Sequence, residues 1–170
     1  GLPSVAVTWP IGCGKEFEGI YDRQRNVVNL YKKKEIINLN EEDVKSNKLD
    51  GKISPSNLTN LRNAMELLDG AGNEFDIDLI RKGKLSPVFF GSALADFGVT
   101  EFLKHFLIMS PPPSSRKTTT GEVHPTDDVF TGFIFKIQAN MDPNHRDRLA
   151  FLRICSGTFV RGMNVTLTRT

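Results

Sequence analysis

Apolar residues follow several distinct rhythms along the chain. Leu58, Leu61, Met65 and Leu68 recur at spacings of three, four and three, which predicts an amphipathic helix from near Ser56 to Gly70. Val5 to Trp9 predicts a short strand stopped by Pro10, with Trp9 in the core. Phe17 to Asp22 and Val27 to Tyr31, rich in aromatic and β-branched residues, predict a hairpin turning through Arg23 to Asn26. Asp76 to Lys82 reads as a short helix ending at Gly83. Leu85 to Phe90 is apolar without alternation, the pattern of a strand covered on both faces. The chain then turns at Gly91 and Ser92 and restarts after Gly98, where Thr100 is a candidate cap and Glu101 complements the positive helix end. This helix, 101–109, is expected to bury Phe102, Leu103, Phe106 and Leu107, and Pro111, Pro112 and Pro113 end it.

Beyond the prolines the pattern changes. Ser114 to Asp128 is almost free of apolar residues and reads as an extended linker. FTGFIFKIQA, residues 130–139, then places Phe133, Phe135, Ile137 and Ala139 on one face of a strand, and LAFLRIC, residues 149–155, predicts a second. TFV, RGM and NVTLT suggest two more, and four short strands without helices indicate a sandwich or barrel. The expected organisation is α/β plus all-β: residues 1–112 with a polar, exposed insertion over about 32–56, a linker over 113–128, and an all-β part over 129–170. The sheet stops unfinished at Thr170, so strand exchange between two copies is a further expectation.

Composition adds little to this picture, but charge adds something. The chain of 170 residues is 39% hydrophobic and 25% charged, as ordinary globular proteins are, and no apolar run approaches the roughly 18–20 residues of a membrane helix. A cytoplasmic location is the default, with no membrane partner. Cys13 and Cys155 show no CxxC or nearby His spacing, which speaks against a zinc site or a disulfide framework. The net charge of +2 divides into +4 from Val129 onward and −2 before it, which mildly favours an anionic partner for the C-terminal part.

Three motifs invite a nucleotide reading. IGCGK, residues 11–15, resembles a phosphate loop but fails on spacing: Trp9 stands where Gly is required, Glu16 stands where Ser or Thr is required, and a strand follows instead of a helix. NKLD, residues 47–50, spells a guanine-specificity pattern, yet EEDVKS precedes it where a buried strand should, and coincidence is the better reading. The turn Ser92, Ala93, Leu94 sits where an open α/β sheet takes ligands, just outside a strand's carboxyl end, although a plain strand-to-helix turn would look the same. Lys32, Lys33 and Lys34 form a basic cluster at the end of the predicted hairpin, as a solvated tip or a phosphate site would. In the loop NMDPNHRDR, residues 140–148, His145, Arg146 and Arg148 present cations to an anionic partner or to Asp142 and Asp147. No metal or catalytic constellation is visible, since His105, His124 and His145 are scattered.

SVAVTWPIGCGKEFEGIYD, NEFD at 73–76, PVFFGSALADFGV and above all FTGFIFKIQANMDPNHRDRLAFLRICSG closely resemble the bacterial peptide chain release factor 3 family of translational GTPases. The resemblance implies an internal segment: the C-terminal part of a P-loop GTPase domain followed by the first strands of a β-barrel second domain. It implies that Ser92, Ala93 and Leu94 form a loop against the guanine base, and that the full-length protein uses GTP or GDP with magnesium. The ribosome, ribosomal RNA and class I release factors are the implied partners, with no DNA. His145, Arg146 and Arg148 are the candidate RNA contacts. The phosphate loop, switches and catalytic groups of the family are missing, so the segment alone is expected to bind no cofactor, hold no metal and catalyse nothing. Elongation factor G, or a non-catalytic RNA- or protein-binding module, are the alternatives.

Overall fold

Four antiparallel strands in sequence order organise the N-terminal part of the computed structural model, which describes residues 1–39, 44–119, 121–141 and 147–168. They are β2 (Thr8–Ile11), β3 (Gly19–Asp22), β4 (Val27–Leu30) and β5 (Glu35–Asn38). A shorter strand β1 (Ser4–Ala6) precedes them and pairs in parallel with β6 (Ser86–Val88). Helix α1 (Pro55–Ala71) and the short helix α2 (Ile77–Arg81) lie between β5 and β6, and α3 (Val99–Met109) follows. Two compact units result, Gly1–Ser110 and Pro111–Thr170.

In the first unit the pleat decides what each face of the sheet meets. Tyr21 pairs with Val28, and Val28 with Ile37, so these side chains share one face. They join Ile11, Leu30, Leu58, Leu61 and Met65 in a buried cluster, with α1 packed on that side. The alternate positions Ile20 and Asn29, paired across β3 and β4, face the other way, where Asn29 meets α3. Both faces are therefore covered, and every residue of β3 and β4 is buried.

The described residues of 32–56 do not form the exposed insertion that the composition suggests. Leu39, Val44, Leu49 and Ile53 are all buried in the α1 cluster, and residues 35–38 form β5. Single apolar residues widely spaced among polar ones escape any periodic reading, yet each anchors a turn to the core. NKLD is one of these anchors: Asn47–Leu49 is a turn of 3-10 helix whose Leu49 is fully buried. Pro10 likewise does not stop its strand, because β2 is an edge strand and a missing N–H can be spared there.

The loop of IGCGK explains its glycine. Gly12 has φ +77°, and a Cβ there would stand 2.2 Å from the Glu16 carbonyl oxygen and 2.7 Å from Asn57 Nδ2. A turn of 3-10 helix, Gly14–Glu16, then leads to β3. The loop thus serves the start of α1. Asn57 Nδ2 donates to the Glu16 carbonyl at 2.9 Å and to Glu18 Oε1 at 2.7 Å, and the Ser54 N–H and hydroxyl both donate to the Glu18 carboxylate. Glu18 satisfies this helix end in place of a capping side chain on Ser54.

Three further expectations are corrected. Only Ser86–Val88 of the 85–90 run is strand, and Phe89 and Phe90 beyond it are half-buried. The stretch 113–128, read as a linker, holds a short hairpin of β7 (Arg116–Thr118) and β8 (Gly121–Val123). The second unit continues with β9 (Thr131–Ala139) and β10 (Arg148–Ser156), an antiparallel pair, and no strand follows among the described residues, where two were expected from TFV, RGM and NVTLT. The β9 and β10 side chains Phe133, Phe135, Ile137, Leu149 and Ile154 are exposed.

Leu49→Ala should cost about 2–5 kcal/mol in denaturant unfolding, the range for emptying a packed Leu site, whereas exposed Asn47→Ala should stay within about 0.5 kcal/mol. Glu18 gives a pH signature. Burial opposes its charge, but the hydrogen bonds from Ser54 and Asn57 and the nearby Lys33 ammonium hold the carboxyl below its ordinary value. Its contribution is therefore present above the unfolded value and lost as pH falls through the folded one. The gap in melting temperature between wild type and Glu18→Gln should be widest near neutrality and shrink below about pH 4.

Candidate functional site

The turn Ser92, Ala93, Leu94 begins four residues beyond β6, at the carboxyl side of its parallel pairing with β1. Phe90 N–H donates to Thr8 Oγ1 at 2.9 Å, which ties the exit of the strand to β2. Ser92 and Phe97 then close a six-residue loop by exchanging backbone bonds of 2.9 and 3.1 Å. Inside it, Ala95 N–H donates to Ser92 Oγ at 3.1 Å and Asp96 N–H to the Ala93 carbonyl at 3.4 Å. The amides of Ala93 and Leu94 take no part in these bonds, and Leu94 is 100% exposed. The tip of the loop carries the backbone N–H groups of Ala93 and Leu94 beside the small side chain of Ala93.

The loop enters α3 through Gly98, not through a cap from Thr100, which lies inside the helix. Gly98 has φ +75°, and a Cβ there would come within 2.3 Å of the Phe90 carbonyl oxygen and 2.8 Å of Gly91 Cα. No side chain fits. Its N–H donates instead to Tyr31 Oη at 2.8 Å, and the Tyr31 hydroxyl donates to Glu101 Oε2 at 2.8 Å. Glu101 Oε1 accepts from Asn29 Nδ2 at 2.9 Å. Burial, and behind it the bond to and charge of Glu101, push the Tyr31 phenol above its ordinary value against the opposing Gly98 N–H, so the hydroxyl keeps its proton.

Helix α3 is consequently turned over relative to its apolar pattern. Glu101, His105 and Met109 are buried, while Phe102, Leu103, Phe106 and Leu107 are 39–78% exposed. So many of its positions are apolar that periodicity could not choose a face. The polar residues choose it, because Glu101 meets Asn29 and Tyr31, and His105 Nε2 lies 2.7 Å from Asp22 Oδ2. His105 and Asp22, 83 positions apart, carried no signal in the sequence, where the histidines looked scattered. Phe17, Phe97 and Tyr31 complete the contact between sheet and loop, with Phe17 and Phe97 ring centres 4.4 Å apart.

In the second unit Arg148 opens β10 opposite Ala139 and is exposed, whereas His145 and Arg146 lie outside the described residues. Lys136 sits over the Phe151 ring and Arg116 over Phe133, each 5.5 Å from the ring centre. The cluster Lys32, Lys33, Lys34 is exposed at the turn after β4, with the Lys32 ammonium donating to the Lys15 carbonyl at 2.9 Å and that of Lys33 to the Lys52 carbonyl. Among the described residues no three His, Cys, Asp or Glu side chains converge as metal ligands, and no helix is long and apolar enough to cross a membrane.

Residues 129–170 match the family of elongation factor G domain 2, a domain of the translational GTPases. Over its whole length the chain is similar to peptide chain release factor 3. It is 43% identical to that of Nostoc punctiforme over 99% of this chain. The figures are 49% for Listeria monocytogenes serotype 4b and 51% for Streptococcus pneumoniae strain Hungary19A-6, each over 100% of this chain. The chain spans about a third of the length of these relatives, 32–33%.

Removing Asp22 tests the weight of the buried pair. Its Oδ1 accepts from Arg25 N–H at 3.1 Å as well, so Asp22→Ala strands two donors and should cost at least about 1–3 kcal/mol in equilibrium unfolding.

Proposed function

We propose that this chain contributes the C-terminal part of the nucleotide domain and the opening strands of the second domain to a GTP-dependent termination factor. That factor promotes dissociation of class I release factors from the ribosome. The observation that carries the reading is the closed Ser92–Phe97 loop beyond a parallel strand, with the Ala93 and Leu94 amides at its tip. In this reading Ser92, Ala93 and Leu94 hold the guanine edge, and GTP or GDP with magnesium is the cofactor of the whole protein. The relatives named release factor 3 support it.

A base-edge loop supplies few contacts, whereas nucleotide affinity comes mainly from phosphates and magnesium. Neither IGCGK, which leads into a strand, nor NKLD, whose Leu49 is core, has the geometry for that work. The 170-residue chain alone is therefore inactive in this reading. His145, Arg146 and Arg148 contact ribosomal RNA phosphates, in line with the +4 balance from Val129 onward.

Calorimetry with GDP tests the first part. The chain should give no measurable heat of binding, and a protein of the relatives' full length that contains it should bind in a magnesium-dependent way. Tight binding by the chain alone would overturn the reading. In the longer protein, replacing Arg146 and Arg148 by Ala should weaken ribosome binding and flatten its salt dependence by roughly 0.7–0.9 per charge removed. An unchanged slope would remove the RNA role.

A further inference from the structure

We infer that Tyr31 is a positioning residue for the base loop, acting through Gly98 and Glu101. The inference rests on the reading of Ser92, Ala93 and Leu94 as a guanine contact. Helix α3 lacks the side-chain cap its first residues would ordinarily carry, and Gly98 cannot supply one. Glu101 occupies the third helical position, from which a Glu in a capping box reaches back to the N–H of the cap residue. Here it does so through an inserted group. The Gly98 N–H donates to Tyr31 Oη and the Tyr31 hydroxyl donates to Glu101 Oε2, both at 2.8 Å, so a phenol from the residue that follows β4 completes the box.

This places Tyr31 where it sets the loop. Gly98 follows Phe97, whose backbone closes the loop with Ser92, and the Phe97 ring packs against Phe17. The loop's outgoing end is thereby referred to the four-stranded sheet. Its incoming end is referred to the same sheet through Phe90 and Thr8. Ala93 and Leu94 lie between these two anchors with the Leu94 side chain fully exposed, so the direction of their amides follows from the anchors. The tyrosine hydroxyl satisfies a donor and an acceptor that would otherwise be buried without partners, since Glu101 is buried beneath the helix end.

The test uses a protein of the relatives' full length containing this chain and compares GDP with 6-thio-GDP. In the thio analogue sulfur, a poor acceptor, replaces only the oxygen that the loop amide would bind. Wild type should prefer GDP roughly five- to tenfold, the worth of one hydrogen bond. Tyr31→Phe keeps the ring and removes the hydroxyl, and it should bring that ratio close to one. Leu61→Ala, which damages the opposite face of the sheet, should leave the ratio at its wild-type value even where overall affinity falls. A wild-type ratio retained in Tyr31→Phe overturns the positioning role while leaving the base-loop reading standing. A wild-type ratio of one overturns the base-loop reading, and this inference with it. Should Tyr31→Phe fail to fold, Glu101→Gln, which turns one acceptor into a donor, must shrink the ratio in the same direction, and an unchanged ratio overturns the inference.

Discussion

A carboxylate buried beneath a helix ties α3 and the loop before it to the four-stranded sheet. Glu101 accepts from Asn29 and Tyr31, and through Tyr31 it reaches the Gly98 N–H, so one acid joins the outer face of the four-stranded sheet, the start of α3 and the exit of the Ser92–Phe97 loop. Burial of an acid in this way is tolerable only because both oxygens are met by donors. The Asp22–His105 pair repeats the arrangement one helical turn further on. The opposite face of the same strands is settled by apolar packing on α1. The sheet is thus joined to its two helices by different physics.

Much of the first unit was legible in the sequence, for reasons that can be named. Helix α1 has a clean three-four spacing and a proline at its first turn, and the β3–β4 hairpin has β-branched and aromatic residues on both arms. What misled was sparse or excessive apolarity. Leu39, Val44, Leu49 and Ile53 are too far apart to make a period, so their stretch read as solvent-exposed. Helix α3 is apolar on so many sides that its pattern points to a face other than the buried one. Burial there follows hydrogen-bond partners that lie some 70 positions away, which no local pattern encodes.

The candidate site divides in the same way. Its tip, Ser92 to Leu94, could be named from the strand-and-turn pattern and the family resemblance. Its supports could not: Tyr31 reads as the last residue of a strand, Asn29 as a polar alternation, and Gly98 as a helix start. The second unit shows the converse. The strands β9 and β10 were plain from their apolar content, but alternation could not say what covers them, and Phe133, Phe135, Ile137 and Leu149 stand exposed. The family match over 129–170 gives these residues a domain type that periodicity alone leaves as an unspecified barrel or sandwich.

Helices docked by apolar side chains can slide or roll with modest loss, because one methyl group replaces another. Helix α3 has no such latitude. A slip of one turn, about 5.4 Å along its axis, would carry Glu101 and His105 past Asn29, Tyr31 and Asp22 and leave charged or polar groups buried without partners. Its axial register and its rotation are both quantised by two inward polar residues four positions apart. The loop that feeds it, bonded to the same tyrosine through Gly98, inherits that fixed origin.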